Sequence, residues 1–166
     1  MKPNLSVEKV VKEIDQRIEK IWNRPPLELK RLLEVKGPLR KPFNVVIYAY
    51  WDANALASTL WTLRHNAKTG VPVGPLAIIT KSILENHIRS FEAYGLPDTV
   101  TLLRKVSDVQ PQVKESKEYI LVVERLIVYL NRLGMAGWLD LMVPWKELGE
   151  TFEKVIRPEK FNWGSG

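Results

Sequence analysis

The 166-residue chain contains no cysteine. That excludes a disulfide scaffold, Cys-ligated zinc, an iron–sulfur cluster and a thiol nucleophile. Histidine is scarce as well, with only His65 and His87. Carboxylate-bridged metal centres in helical bundles need Glu-x-x-His on two helices, because positions i and i+3 share a face. Glu85 and His87 are two apart, so their side chains diverge. His87 falls at a core-facing position and reads as a hydrogen-bonded interior residue. His65, beside Arg64 near a helix end, reads as a dipole-stabilised or solvent-exposed one. There is no Gly-x-x-x-x-Gly-Lys-Ser/Thr loop, since Ala67-Lys68-Thr69-Gly70 lacks the preceding glycines. There is no Gly-x-Ser-x-Gly elbow either. The expectation is a protein that is not an enzyme, with no catalytic residue, metal or cofactor.

Long apolar runs are missing too. The N-terminus alternates charged and apolar residues, without the h-region of a secretory signal. The stretch Phe43 to Leu63 is poor in charge, but Asp52, Asn44, Asn54, Ser58 and Thr59 make it a poor membrane span. It reads as a buried helix.

What is present is enough apolar residue for a core, 45%, and a formal charge of +6. The charge is unevenly placed. Residues 1–42 hold 11 Lys+Arg against 6 Asp+Glu, a net of +5, and residues 43–166 hold 14 against 13. Such asymmetry suggests either a nucleic-acid-binding arm or a solvated face on a basic protein.

Ser6 is a good N-cap for a first helix. Val7, Val10, Val11, Ile14, Ile18, Ile21 and Trp22 form its apolar stripe, which needs a protein partner. Lys9, Arg17, Lys20 and Arg24 gather on one flank with Glu13. Glu8, Asp15 and Glu19 gather on the other beside Lys12. Arg24-Pro25-Pro26 ends this helix, and a second short one covers Leu27 to Val35. Lys36-Gly37-Pro38 and Lys41-Pro42 read as a hinge. The expected organisation is an arm over 1–42, a helical-bundle body over 43–160 and a tail over 161–166.

In the body, Phe43, Val46, Ile47, Tyr50, Ala57, Leu60 and Trp61 keep helical spacing up to Gly70. Pro75 would begin the next helix, with core positions Ile79, Ile83, Leu84, His87, Ile88 and Phe91. Tyr94-Gly95 stops it, and Leu96-Pro97-Asp98 opens a short helix to Val106, followed by a loop. A long helix then runs from Gln112 to Leu133, ended by Gly134. Its expected core is Val113, Tyr119, Ile120, Val123, Ile127 and Leu130. A further helix covers Pro144 to Ile156. The class is all-α, a helical bundle with a two-helix basic arm. Trp51, Trp61, Trp138 and Trp145 are expected to pack in the core, with base stacking as the alternative for any that are exposed.

Two stretches carry a family likeness: Glu92-Ala93-Tyr94-Gly95-Leu96-Pro97, and Leu130-Asn131-Arg132-Leu133-Gly134 with the apolar run to Val143. Over about 50 residues this resembles the major coat (capsid) proteins of filamentous or rod-shaped DNA viruses of hyperthermophilic archaea. In that family a Tyr-Gly-aliphatic turn precedes a helix, and an Asn-Arg-aliphatic-Gly turn leads into a short apolar segment. The resemblance implies a virion protein, present in the host cytoplasm during assembly. It implies pairing with itself or a paralogous coat protein, arms that wrap linear double-stranded DNA in A-form, a helical filament and a lipid envelope. Phosphate contacts suffice for packaging, since affinity there needs no base readout. The candidate contacts are Lys9, Lys12, Arg17, Lys20, Arg24, Lys30, Arg31, Lys36, Arg40 and Lys41. The acidic flank, Glu8, Asp15 and Glu19, would face neighbouring subunits. Two other classes fit a basic helical protein: a non-viral nucleic-acid-binding subunit of a ribonucleoprotein complex, and a helical enzyme or adaptor without a recognisable motif.

Overall fold

A computed structural model describes residues 5–23 and 40–148, with side-chain surroundings over 5–21 and 51–134. The described residues form five α-helices and no strand: α1 (Val7–Asn23), α2 (Arg40–Lys68), α3 (Val73–Tyr94), α4 (Pro97–Val109) and α5 (Ser116–Leu148). A 3-10 turn, Gln110–Gln112, follows α4. The fold is an all-α helical bundle. None of the described helices is long and apolar enough to cross a membrane.

Local chemistry sets the boundaries. Ser6 caps α1 through its Oγ, which accepts from the Lys9 N–H at 3.2 Å. At the end of α2 the Val71 N–H reaches Asn66 O at 3.0 Å and the Gly70 N–H reaches Ala67 O at 3.3 Å. The end of α3 repeats this pattern with Leu96 to Phe91 and Gly95 to Glu92. Both are Schellman closures, and both glycines have positive φ, 102° and 77°, where a Cβ would be strained. Pro97 opens α4, where no N–H is needed. The Glu118 carboxylate accepts from the backbone N–H groups of Lys114 and Glu115 at the start of α5.

Several boundaries differ from expectation. Helix α2 starts at Arg40, so Pro42 lies inside its first turn. The first N–H groups of a helix have no intrahelical acceptor, so proline loses no hydrogen bond there. Lys41-Pro42 is therefore helix rather than hinge. Helix α3 starts at Val73, two residues before Pro75, for the same reason. Helix α4 runs three residues past Val106. Helix α5 continues through Gly134 to Leu148, so Gly134 is not a stop. A helix tolerates an interior glycine at a cost of about 1 kcal/mol, which flanking helical residues offset. The expected second helix, Leu27 to Val35, and the tail lie outside the described residues.

The helices neighbour one another in a ring, α1, α5, α2, α3, α4 and back to α1, with the widest contact between α2 and α5. Ile14, Leu56, Leu60, Leu84, Phe91, Leu102, Leu103 and Leu126 fill the core they enclose. On α2 the buried stripe includes Ala53, Ala57 and Ala67, small residues that let α5 approach. Tyr119 and Tyr129 of α5 are buried at the centre. The Tyr119 hydroxyl pairs with Thr80 Oγ1 of α3 at 2.6 Å, and Tyr129 pairs with Thr99 Oγ1 of α4 at 2.9 Å. These bonds satisfy polar groups that would be costly to bury alone.

The first helix belongs to this core. Val10, Ile14, Ile18 and Ile21 are all buried in the same cluster as residues of α2 to α5. The apolar stripe has the residues expected of it, but it packs against the chain's own body. In this respect the division at residue 42 does not hold: α1 is a wall of the bundle rather than part of a separate arm.

Candidate functional site

Each seam of the ring carries a polar tie. Between α1 and α4, Arg17 forms two hydrogen bonds to Asp98, at 3.2 and 3.3 Å, and Lys105 contacts Glu13 at 2.9 Å. Between α1 and α5, Arg125 lies 3.3 Å from Asp15. Arg64 and Lys68 of α2 share Glu124 of α5, at 2.9 and 3.3 Å. Tyr94 of α3 donates to Asp52 of α2 at 2.5 Å, and Arg104 of α4 pairs with Glu92 of α3. Surface pairs of this kind are worth about 0–1 kcal/mol each, so they fix register more than they add stability.

These ties decide the standing of the expected phosphate contacts. Arg17 is half-buried and paired with Asp98 and Glu13 at the seam. Asp15, expected to face another subunit, faces Arg125 of its own chain. Lys9, Lys12 and Lys20 are exposed. Arg24, Lys30, Arg31 and Lys36 lie outside the described residues, and Arg40 and Lys41 stand in the first turn of α2. Helix α1 itself holds four basic and four acidic side chains. The +5 surplus of residues 1–42 therefore comes from Lys2 and residues 24–42.

The described residues bring together one acid–base group across α2 and α3. Asp52 accepts the Tyr94 hydroxyl, and His87, one helical face with Tyr94, lies within the field of Asp52. All three are half-buried. Burial holds His87 below the usual imidazole value, while the Asp52 charge pulls the other way. Sequence reading put His87 in the interior, whereas it is half-buried, and the Asp52 charge that acts on it is 35 residues away. The available signal was Asp52 itself, a lone carboxylate in a charge-poor helix. Among the described residues no group of three or more His, Asp or Glu side chains is placed to hold a metal ion.

The outer side of α2 is aromatic. Trp51 and Trp61 are 57% and 55% exposed, against the expectation that they pack inside. The buried stripe of α2 is Ala53, Leu56, Ala57, Leu60, Leu63 and Ala67, and Trp61 stands about 100° round the helix from Leu60. The Trp61 ring stacks on His65 with centroids 6.0 Å apart and planes 6° from parallel.

A family model described as the Cucumopine synthase C-terminal helical bundle domain matches residues 7–141. The chain belongs to this family. No curated protein and no solved structure matches it. The cucumopine synthase bundle match begins at the first residue of α1 and extends into α5, so it takes in all five described helices. It crosses the division expected at residue 42. Of the two stretches that resemble viral coat proteins, Tyr94-Gly95 does form a turn. Leu130 to Gly134 forms none, being interior to α5.

Proposed function

We propose that this chain is a non-catalytic helical module that works by docking onto a small-molecule synthase. The observation that carries the reading is the match of residues 7–141 to a bundle that is named as a domain of such an enzyme. Two features of the surface support it. The Asp52–Tyr94 pair serves as an interhelical tie. Trp51 and Trp61 are more than half exposed, and exposed aromatic area of this kind marks protein interfaces.

A second reading rests on the placement of charge. The surplus in residues 24–42 supports binding to a polyanion through that segment. DNA packaging in a viral coat is its most specific form, and α1 would then brace the bundle rather than wrap the duplex.

One binding experiment separates the two. The full chain is titrated with cucumopine synthase truncated of its own C-terminal bundle, and in parallel with linear duplex DNA at several salt concentrations. The docking reading expects a 1:1 complex with the truncated enzyme, weakened at least about tenfold by Trp61→Glu. Binding to duplex DNA alone, with affinity falling steeply as salt rises, would replace it by the polyanion reading.

A further inference from the structure

Away from the exposed tryptophans, a groove of about 470 Å³ opens between the start of α3 and the 3-10 turn. Its size is that of a small-molecule site. Val73, Ala77, Ile78, Pro111 and Val113 make its walls apolar. Ile78 is 73% exposed, the most exposed large apolar side chain among the described residues.

Two independent features point to the ligand. The first is positive charge. Val73 and Gly74, the first two residues of the 22-residue α3, line the groove, and no side chain caps this end. Pro72 and Pro75 have no N–H, so this helix start presents the N–H groups of Val73 and Gly74 with its partial positive charge. Lys81 and Lys114 also line it. Lys81 is shared with Glu85 at 3.3 Å and Asp108 at 3.9 Å. Lys114 has no ion pair among the described residues, and the nearby Glu118 carboxylate is engaged by the backbone N–H groups of Lys114 and Glu115, so the cationic side of the groove is Lys114 together with the helix end.

The second feature is an orphan acceptor. Gln110 lines the groove and is 1% exposed. Its Nε2 donates to Val106 O at 3.0 Å, whereas its Oε1 has no hydrogen-bond partner. A buried carbonyl oxygen without a donor is unfavourable and rare. A donor arriving from the groove satisfies it once the carboxamide turns its Oε1 outward, which exchanges the Nε2 bond to Val106 O for one to the ligand.

We infer that this groove binds a small organic carboxylate that has an apolar body and one N–H or O–H donor. The carboxylate lies at the α3 start beside Lys114. The apolar body covers Ala77, Ile78 and Val113. The donor meets Gln110 Oε1. This assignment is independent of the docking reading, since it uses neither Trp51 nor Trp61.

The test uses the full chain and three probes followed by NMR titration. N-acetyl-leucine has all three features, N-acetyl-leucinamide lacks the charge, and 4-methylpentanoate lacks the donor. Saturable shifts centred on Ala77, Ile78 and Val113 are expected with N-acetyl-leucine. Binding weaker by about tenfold is expected for the amide, and by severalfold for 4-methylpentanoate. Gly74→Phe puts a ring at the α3 wall of the groove and should abolish binding; its Cβ meets nothing within 4 Å, and a melting curve checks that the fold is kept. Lys114→Gln should weaken the acid and leave the amide unchanged. Equal binding of acid and amide, shifts centred elsewhere, undiminished binding by Gly74→Phe, or no saturable binding would each overturn the assignment.

Discussion

The tyrosines of α5 and the tryptophans of α2 reverse the order that hydrophobicity alone would suggest. Tyr119 and Tyr129, each with a hydroxyl, are fully buried. Trp51 and Trp61, larger and more apolar, are more than half exposed. Helix facing accounts for the difference. Tyr119 and Tyr129 lie on the inward side of α5 with Val122, Val123, Leu126, Leu130 and Leu133. The tryptophans stand off the alanine–leucine stripe that α2 turns inward. A buried tyrosine also needs a hydroxyl partner, and Thr80 and Thr99 provide one each. The inner face of α5 thus holds paired tyrosine hydroxyls within an apolar core, and the outer face of α2 holds exposed tryptophans.

The largest expected effect tests where inside ends. Ile14→Ala in α1 should cost about 2–5 kcal/mol of unfolding free energy, because Ile14 is fully buried in the shared core. Trp61→Ala, which removes a bigger side chain from the outer face, should cost within about 0.5 kcal/mol. Denaturant melts of both variants make the comparison. A first helix that behaved as a separable arm would give the two changes similar, small costs.

A middle-sized effect sharpens the role of the buried hydroxyls. Tyr119→Phe keeps the ring and removes the partner of Thr80. It should destabilise by about 1 kcal/mol. The loss is limited because Thr80 Oγ1 keeps its bond to Leu76 O at 2.7 Å. Thermal melts of Tyr119→Phe and of the double variant with Thr80→Val would give the coupling. A null coupling would mean that the ring alone holds Tyr119 in place.

The smallest effect concerns His87. Burial lowers its folded pKa below the ordinary 6.5. The unfolded chain therefore binds a proton more readily than the folded one in this range. The contribution is complete above pH 6.5 and is lost progressively as pH falls below that value. Melting temperatures of the wild type should decline from pH 7 toward pH 5 more than those of His87→Gln. Parallel curves would place His87 in a more solvated setting.

Much of the fold was legible in the sequence where the signals are local. Ser6, Gly70, Gly95 and Pro97 each mark a helix boundary through their own backbone chemistry, and each does so in the structure. The stripe of α1 was legible through its spacing. Pro42, Pro75 and Gly134 misled for a common reason. Proline and glycine break helices only where a hydrogen bond or backbone freedom is at stake, and the first turn or a long flanking helix removes that condition. The site was less legible. Arg17 looked available because its partner Asp98 is 81 positions away. The groove joins residue 74 to residues 110 and 114, which no spacing rule connects.

The sequence by itself determined that the molecule is helical, where most helices begin and stop, and which side of α1 is apolar. Those properties follow from interactions across a few neighbouring residues. Only the tertiary structure decided what that apolar side meets, which charges are already paired, and that tyrosine is inside while tryptophan is outside. These depend on contacts between helices that the chain brings together from distant positions. The same distinction applies to the positive charge: where its surplus lies along the chain is a count on the sequence, but which charges of α1 already have partners, as Arg17 does in Asp98, only the fold decided.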